Sequence, residues 1–311
     1  MTLAVVFPGQ GSQSVGMLAA LAAEYPTVQA TFAEASEVLG YDLWQLVQSG
    51  PDEALNATER TQPAMLAAGV AVWRVWNEQG KPVPAVMAGH SLGEFTALVA
   101  SGALVFRDAI AAVQFRGRVM QEAVPPGAGA MAAILGLEDA DVEAACADAA
   151  QGEVVEPVNY NSPGQLVIAG SAAAVGRALE AAKARGAKRA LLLPVSVPAH
   201  SSLLKPAADR LAEYLATVPV RVPSIPVYAM GLKRHDSEAA IRAQVVAQLA
   251  GAVRWTDTVR DMIGAGVTQI VECGPGKVLT SLNRRIERNK DISMICMEDP
   301  ASLQAVLGTG V

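Results

Sequence analysis

Residues Gly89-His90-Ser91-Leu92-Gly93 set a serine between two glycines in the pattern G-x-S-x-G. An apolar run at 83–88 precedes them and reads as a buried strand, and residues 94–101 read as the start of a helix. That context is what a nucleophile elbow requires: a sharp strand-to-helix turn exposes the serine oxygen, and glycines on both sides let the backbone bend. The helix that starts there supplies backbone N–H groups and a positive dipole end where an oxyanion would form. The motif alone occurs in many unrelated chains. Its flanks are what make Ser91 the candidate nucleophile.

A serine hydroxyl attacks only when a neighbouring base takes its proton, and the chain holds three histidines, His90, His200 and His235. His90 adjoins the serine, so its side chain leaves the backbone in another direction. His235 lies in the polar stretch Leu232-Lys233-Arg234-His235-Asp236-Ser237, which reads as a solvated loop. His200 follows an apolar strand pattern at 190–197, and strand ends are where catalytic loops sit in α/β folds. His200 is therefore the candidate base, with a packed, hydrogen-bonded histidine as the alternative.

These residues are positioned by strands alternating with helices, which predicts a parallel sheet covered on its faces. Strands are expected at 3–7, 83–88, 225–230 and 268–272, and helices at 27–39, 43–48, 61–77, 107–123, 237–249, 256–265 and 277–288. Thr61 reads as the cap of the third helix, with Pro63 near its first turn. Pro125-Pro126-Gly127-Ala128-Gly129 interrupts the rhythm. Beyond it come strand 130–135, helix 139–150, strands 156–160 and 165–169, helix 172–185 and strand 190–197. This βαββαβ order is the ferredoxin-like plan. The expected architecture is an α/β-hydrolase-like parallel-sheet core formed by 1–126 and 198–311. A ferredoxin-like subdomain at 127–197 is inserted into it, and the site lies in the cleft between them.

Composition narrows the function classes. Hydrophobic residues make up 51% and charged residues 17%, an ordinary globular balance. The net charge of −6 makes nucleic acid an unsuitable partner. No apolar run approaches the about 20 residues of a membrane span, and the N-terminus shows no basic signal region, so a cytoplasmic location is expected. Cys146, Cys273 and Cys296 are odd in number and widely spaced, which argues against a disulfide framework and a zinc site. Two local basic clusters stand out, Lys183, Arg185, Lys188 and Arg189, and Lys277, Arg284, Arg285, Arg288 and Lys290. Each reads as a solvated helix face, with docking of an anionic ligand or acidic protein as the alternative.

Five segments together resemble the malonyl-CoA:acyl carrier protein transacylases of bacterial fatty acid synthesis, in order and over essentially the whole chain. They are Phe7-Pro8-Gly9-Gln10-Gly11-Ser12-Gln13, Gly89-His90-Ser91-Leu92-Gly93-Glu94-Phe95, Arg116-Gly117-Arg118 with Met120-Gln121, Asn159-Tyr160-Asn161-Ser162-Pro163-Gly164-Gln165, and Glu272-Cys273-Gly274-Pro275-Gly276-Lys277. The resemblance implies Ser91 as nucleophile and His200 as general base and then acid. It implies the backbone N–H groups of Gln10 and Leu92 as oxyanion hole, Arg116 on the malonyl carboxylate, and the main-chain carbonyl of Gln248 as the group that orients His200. Arg116 suits its role because a planar, permanently charged fork can pair both carboxylate oxygens; a structural ion pair is the alternative. Gln62 and His90 are candidate pocket residues, Gln62 equally a capping or packing residue.

The implied partners are malonyl-CoA and an acidic acyl carrier protein met transiently by a monomer. Coenzyme A thioester serves as substrate, with no bound cofactor and no metal. A malonyl transferase for polyketide synthesis or malonate decarboxylase shares this chemistry, and a serine esterase or thioesterase could use the same elbow. Two departures from the family pattern bear on the site. Ala250-Gly251-Ala252 stands where an aromatic residue and a proline are usual, which touches the loop that holds Gln248. Tyr228-Ala229-Met230-Gly231 replaces a frequent Asn-x-Asp.

Overall fold

The computed structural model describes residues 2–308 apart from 81, 196, 230 and 231, with no side-chain description for 307 and 308. Eight strands appear among the described residues: β1 (Leu3–Phe7), β2 (Val86–Gly89), β3 (Gly129–Leu135), β4 (Val155–Ser162), β5 (Gln165–Ser171), β6 (Arg189–Leu192), β7 (Gln269–Glu272) and β8 (Ser293–Cys296). They form two four-stranded sheets, one ordered β2-β1-β7-β8 and one ordered β4-β5-β3-β6.

The first sheet is wholly parallel. β1 is buried at every position, as a central parallel strand covered on both faces must be. The helix Thr58–Glu78 packs across one face and buries sixteen of its residues. Its start differs from the expected Thr61: the helix opens three residues earlier after Ala57. Thr61 is buried and its hydroxyl donates to the Leu55 carbonyl at 2.6 Å, so Pro63 lies inside the helix.

The second sheet is antiparallel, and its order is that of the ferredoxin-like plan, with the helices Asp139–Ala150 and Ala172–Ala184 packed together over it. It has its own apolar cluster, built on Ile134, Val142, Cys146, Leu166, Ile168 and Val175. The fold is therefore an α/β parallel-sheet core with a ferredoxin-like βαββαβ unit joined through the helix Phe106–Ala123 on one side and the 193–199 segment on the other.

Three elements depart from expectation for visible reasons. β2 begins at Val86, because Val83 is 75% exposed and the approach carries Pro82 and Pro84, which cannot donate to a ladder. β6 ends at Leu192 instead of running to 197; Pro194 follows, and part of the expected stretch (196) lies outside the described residues. Of the expected strand at 225–230, position 230 lies outside the described residues, as does 231 of the Tyr228–Gly231 departure; the described part forms single bridges, Met87 with Val227 and Tyr228 with Arg234. Pro226 accepts from Met87 N–H at 2.8 Å but has no N–H to return, so the ladder stops there.

Candidate active site

β1 and β2 end side by side, with Phe7 opposite Gly89, and both lead into tight loops. The His90 N–H donates to the Phe7 carbonyl at 3.0 Å, and Ser91 follows with φ 51°, a left-handed conformation that non-glycine residues rarely adopt. The helix Gly93–Ala100 starts at once. A Cβ on Gly89 would lie 1.9 Å from the Gly93 carbonyl carbon, and one on Gly93 would lie 2.1 Å from the Phe7 carbonyl oxygen. Both glycines are thus required by backbone approach, and the crowding projects the Ser91 side chain out of the turn.

His200 follows β6, the last strand of the second sheet, as the chain returns to the core. Its backbone is also left-handed, φ 67°, and its N–H donates to the Leu249 carbonyl at 3.1 Å. The ring spans two partners, with Nε2 2.7 Å from Ser91 Oγ and Nδ1 2.7 Å from the Gln248 carbonyl oxygen. A carbonyl only accepts, so Nδ1 carries the proton and Nε2 is left to accept from the serine hydroxyl. Burial pushes the imidazole down from 6.5 to about 3, and the Arg116 guanidinium adds to the shift, while the Gln248 carbonyl opposes it. The ring is therefore neutral at physiological pH.

The Gln248 carbonyl keeps its place in spite of the unusual Ala250-Gly251-Ala252. Residues Gln248–Ala250 form a 3₁₀ turn that ends the helix Glu238–Ala247. The turn, with the Leu249 carbonyl fixed on His200 N–H, holds the geometry without the aromatic residue or the proline.

Arg116 lies on the helix Phe106–Ala123 and is 1% exposed. Its two terminal nitrogens donate to Gln62 Oε1 at 2.9 Å and Gln248 Oε1 at 3.1 Å, and its Nε has no partner among the described residues. Burial lowers its pKa to about 10, with the Glu94 carboxylate opposing. It remains a cation held by neutral oxygens, with donors to spare for an anion. No carboxylate forms a direct ion pair with it among the described residues.

Gln10, Ser91, Leu92, Arg116 and His200 all border one cavity of about 520 Å³ between the two sheets. Neither the Gln10 nor the Leu92 N–H donates to another group among the described residues. His90 borders the same cavity, its Nε2 2.8 Å from Asn161 Oδ1, and burial lowers its pKa. Gln62 does not line this cavity: it is 1% exposed and lies behind Arg116, with Nε2 3.2 Å from Met120 Sδ. Of its two readings, pocket or packing, this placement is the packing one; the amide oxygen is consumed in holding the guanidinium.

His235 requires correction. It is 2% exposed, and its Nε2 is 2.7 Å from Glu94 Oε1, beneath the elbow helix. The polar residues around it suggest a solvated loop, yet its N–H is held by the Val227 carbonyl and the ring turns inward. Glu94 was equally silent in the sequence as a functional group, because nothing in its spacing tells a buried carboxylate from a solvated one.

Residues 4–303 match the model of the acyl transferase domain family. A malonyl CoA-acyl carrier protein transacylase of Salmonella typhimurium is 56% identical over 98% of this chain and 98% of its own. A protein of the same name from Bacillus subtilis is 42% identical over 99% and 96%. Among solved structures, an acyl carrier protein S-malonyltransferase from Vibrio cholerae superposes with a TM-score of 0.94 at 57% identity, covering 98% of this chain and 100% of that one. A malonyl-transacylase solved in complex with a type II PKS acyl-carrier protein superposes with a TM-score of 0.96 at 55% identity, over 99% of both chains.

Proposed function

The chain belongs to the acyl transferase family, among its malonyl CoA-acyl carrier protein transacylases, and on that premise we infer that it moves a malonyl group from malonyl-CoA to the phosphopantetheine thiol of an acyl carrier protein. The observation that carries the assignment of roles is the relay Ser91 Oγ to His200 Nε2 and His200 Nδ1 to the Gln248 carbonyl, at the edge of the cavity that also holds Arg116.

Ser91 Oγ attacks the thioester carbon while His200 Nε2 takes the hydroxyl proton. The developing oxyanion is met by the N–H groups of Gln10 and Leu92, which border the cavity and donate to no other group among the described residues. The C–S bond breaks, the coenzyme A thiolate takes the proton from His200, and malonyl-Ser91 remains. The carrier thiol then gives its proton to His200 and attacks the ester, and Ser91 leaves with that proton. Arg116 pairs with the malonyl carboxylate throughout. A neutral carbonyl behind His200 stabilises the imidazolium less than a carboxylate would, which suits a thiol: at a pKa near 8.5 it leaves without a strong acid.

The carrier protein, acidic by its chemistry, docks on the second basic cluster. Val278, Leu279 and Leu282 of the helix Val278–Ile286 border the cavity, and Arg285 on the same helix is exposed and donates to Gln165 at its rim. In the first cluster, Lys183 and Arg185 are already paired with Glu180 and Asp148. The enzyme acts as a monomer in the cytoplasm, in fatty acid synthesis, with no bound cofactor or metal. No described helix is long and apolar enough to cross a membrane.

Acyl-enzyme lifetime tests this reading. Without carrier protein the malonyl-serine should persist and free malonate should accumulate slowly. Rapid release of malonate would make the chain a hydrolase. A panel of fatty acid and polyketide carrier proteins decides the pathway, by which one accepts the malonyl group fastest.

A further inference from the structure

Glu94 is the residue that follows the elbow glycine, 2% exposed on the inward face of the helix Gly93–Ala100. Both of its oxygens are engaged. Oε1 accepts from His235 Nε2 at 2.7 Å, and Oε2 accepts from Gln248 Nε2 at 2.5 Å. The same Gln248 amide nitrogen donates to the Ser91 carbonyl at 3.0 Å, and its amide oxygen accepts from Arg116 at 3.1 Å.

An amide has one donor end and one acceptor end, and its orientation is set by what surrounds it. Here the donor end faces two acceptors, Glu94 and the Ser91 carbonyl, so the acceptor end must face Arg116. A carbonyl and an ionised carboxylate only accept and a guanidinium only donates, so Glu94 joins the Ser91 carbonyl in holding the amide nitrogen away from Arg116, and its contact is the shorter of the two. The segment that carries His235 is clamped from outside: the Arg234 guanidinium lies 3.1 Å from the centre of the Tyr228 ring, and the Tyr228 hydroxyl bonds Asp261.

We propose that the Glu94–His235 pair is a positioning device for acyl-group specificity: it fixes the amide of Gln248 so that its oxygen, not its nitrogen, meets Arg116 and aims the guanidinium at the acid group of the substrate. The proposal rests on the reading of Arg116 as the carboxylate-binding residue. It also separates two duties of one glutamine. The main-chain carbonyl of Gln248 serves His200 and is held by the 3₁₀ turn, whereas its side chain serves Arg116 and is held by Glu94.

The test is Glu94→Gln. The single amide oxygen at 94 would satisfy His235, so an amide nitrogen would face that of Gln248; two donors would meet, and the Gln248 side chain would be pushed out of the position in which its oxygen holds Arg116. Serine acylation is measured with malonyl-CoA and with acetyl-CoA, which lacks the acid group. The expected result is that kcat/KM for malonyl-CoA falls by about tenfold or more, mostly through KM, while acetyl-CoA changes by less than about threefold. His235→Phe removes the other member of the pair and leaves the Ser91–His200–Gln248 relay untouched, so it should show the same selective loss, and the double variant Glu94→Gln with His235→Phe should be no worse than the worse single. Equal losses for both acyl groups, or additive losses in the double variant, would overturn the proposal. If Glu94→Gln fails to fold, His235→Phe alone decides it by the ratio of the two acyl groups. Failure of the underlying reading looks different: wild-type protein would then show no preference for malonyl-CoA.

Discussion

The Ser91 hydroxyl and His200 Nε2 lie 2.7 Å apart although 109 positions separate them in the chain. All of the antiparallel sheet lies between them in sequence, so their meeting depends on how that unit returns the chain to the core. Both residues sit in left-handed backbone, φ 51° and 67°. Such strain persists where surrounding structure over-determines it, here through backbone bonds on either side.

Stability should fall on mild acidification, and His200 should be one cause. Its pKa is lowered from 6.5 to about 3 on folding, by burial first and by Arg116 next. Between those values the unfolded chain binds the proton and the folded protein does not, so stability rises with pH there. The residue contributes a slope of at most about 1.4 kcal/mol per pH unit. His200→Gln should flatten the decline in denaturant-derived stability between about pH 6 and pH 4. An unchanged slope would mean that the ring titrates normally.

Arg116→Ala should weaken transition-state binding of malonyl-CoA by about 2–5 kcal/mol, since it removes one member of a buried charged pair. Acetyl transfer should be spared. Parallel kinetics with the two thioesters check this, and equal losses would remove Arg116 from the carboxylate.

Gly89→Ala should cost about 1–3 kcal/mol or more, because the new methyl carbon would meet backbone at 1.9 Å and no side chain can yield. Thermal unfolding should show the loss, and acylation of Ser91 should fall further than stability explains, as the turn that projects the hydroxyl is displaced. A fully active, stable variant would mean that the elbow tolerates opening.

How much of this was legible in the sequence depends on whether a local signal exists. The elbow was legible because glycines on both sides of a serine, between a strand and a helix, have few other uses. The βαββαβ order was legible from turn residues and periodicity, with Asp139–Ala150 placed to the residue. The Gln248 carbonyl was reachable only through family resemblance, since a main-chain group leaves no trace in residue type. Gln62 stayed open between pocket and packing because sequence does not tell which side of Arg116 an amide occupies. The 225–230 strand failed at Pro226, a residue whose missing N–H should have counted against it. His235 and Glu94 were missed because a buried hydrogen-bonded couple, far apart in sequence, looks like two solvated polar residues until the fold joins them.

The central claim is tested most directly by intact-protein mass after mixing with malonyl-CoA in the absence of carrier protein. Wild-type protein should gain one malonyl group, lost again when an acyl carrier protein with a free phosphopantetheine thiol is added, and Ser91→Ala should gain none. A malonyl adduct on Ser91→Ala, or none on the wild type, would contradict the account.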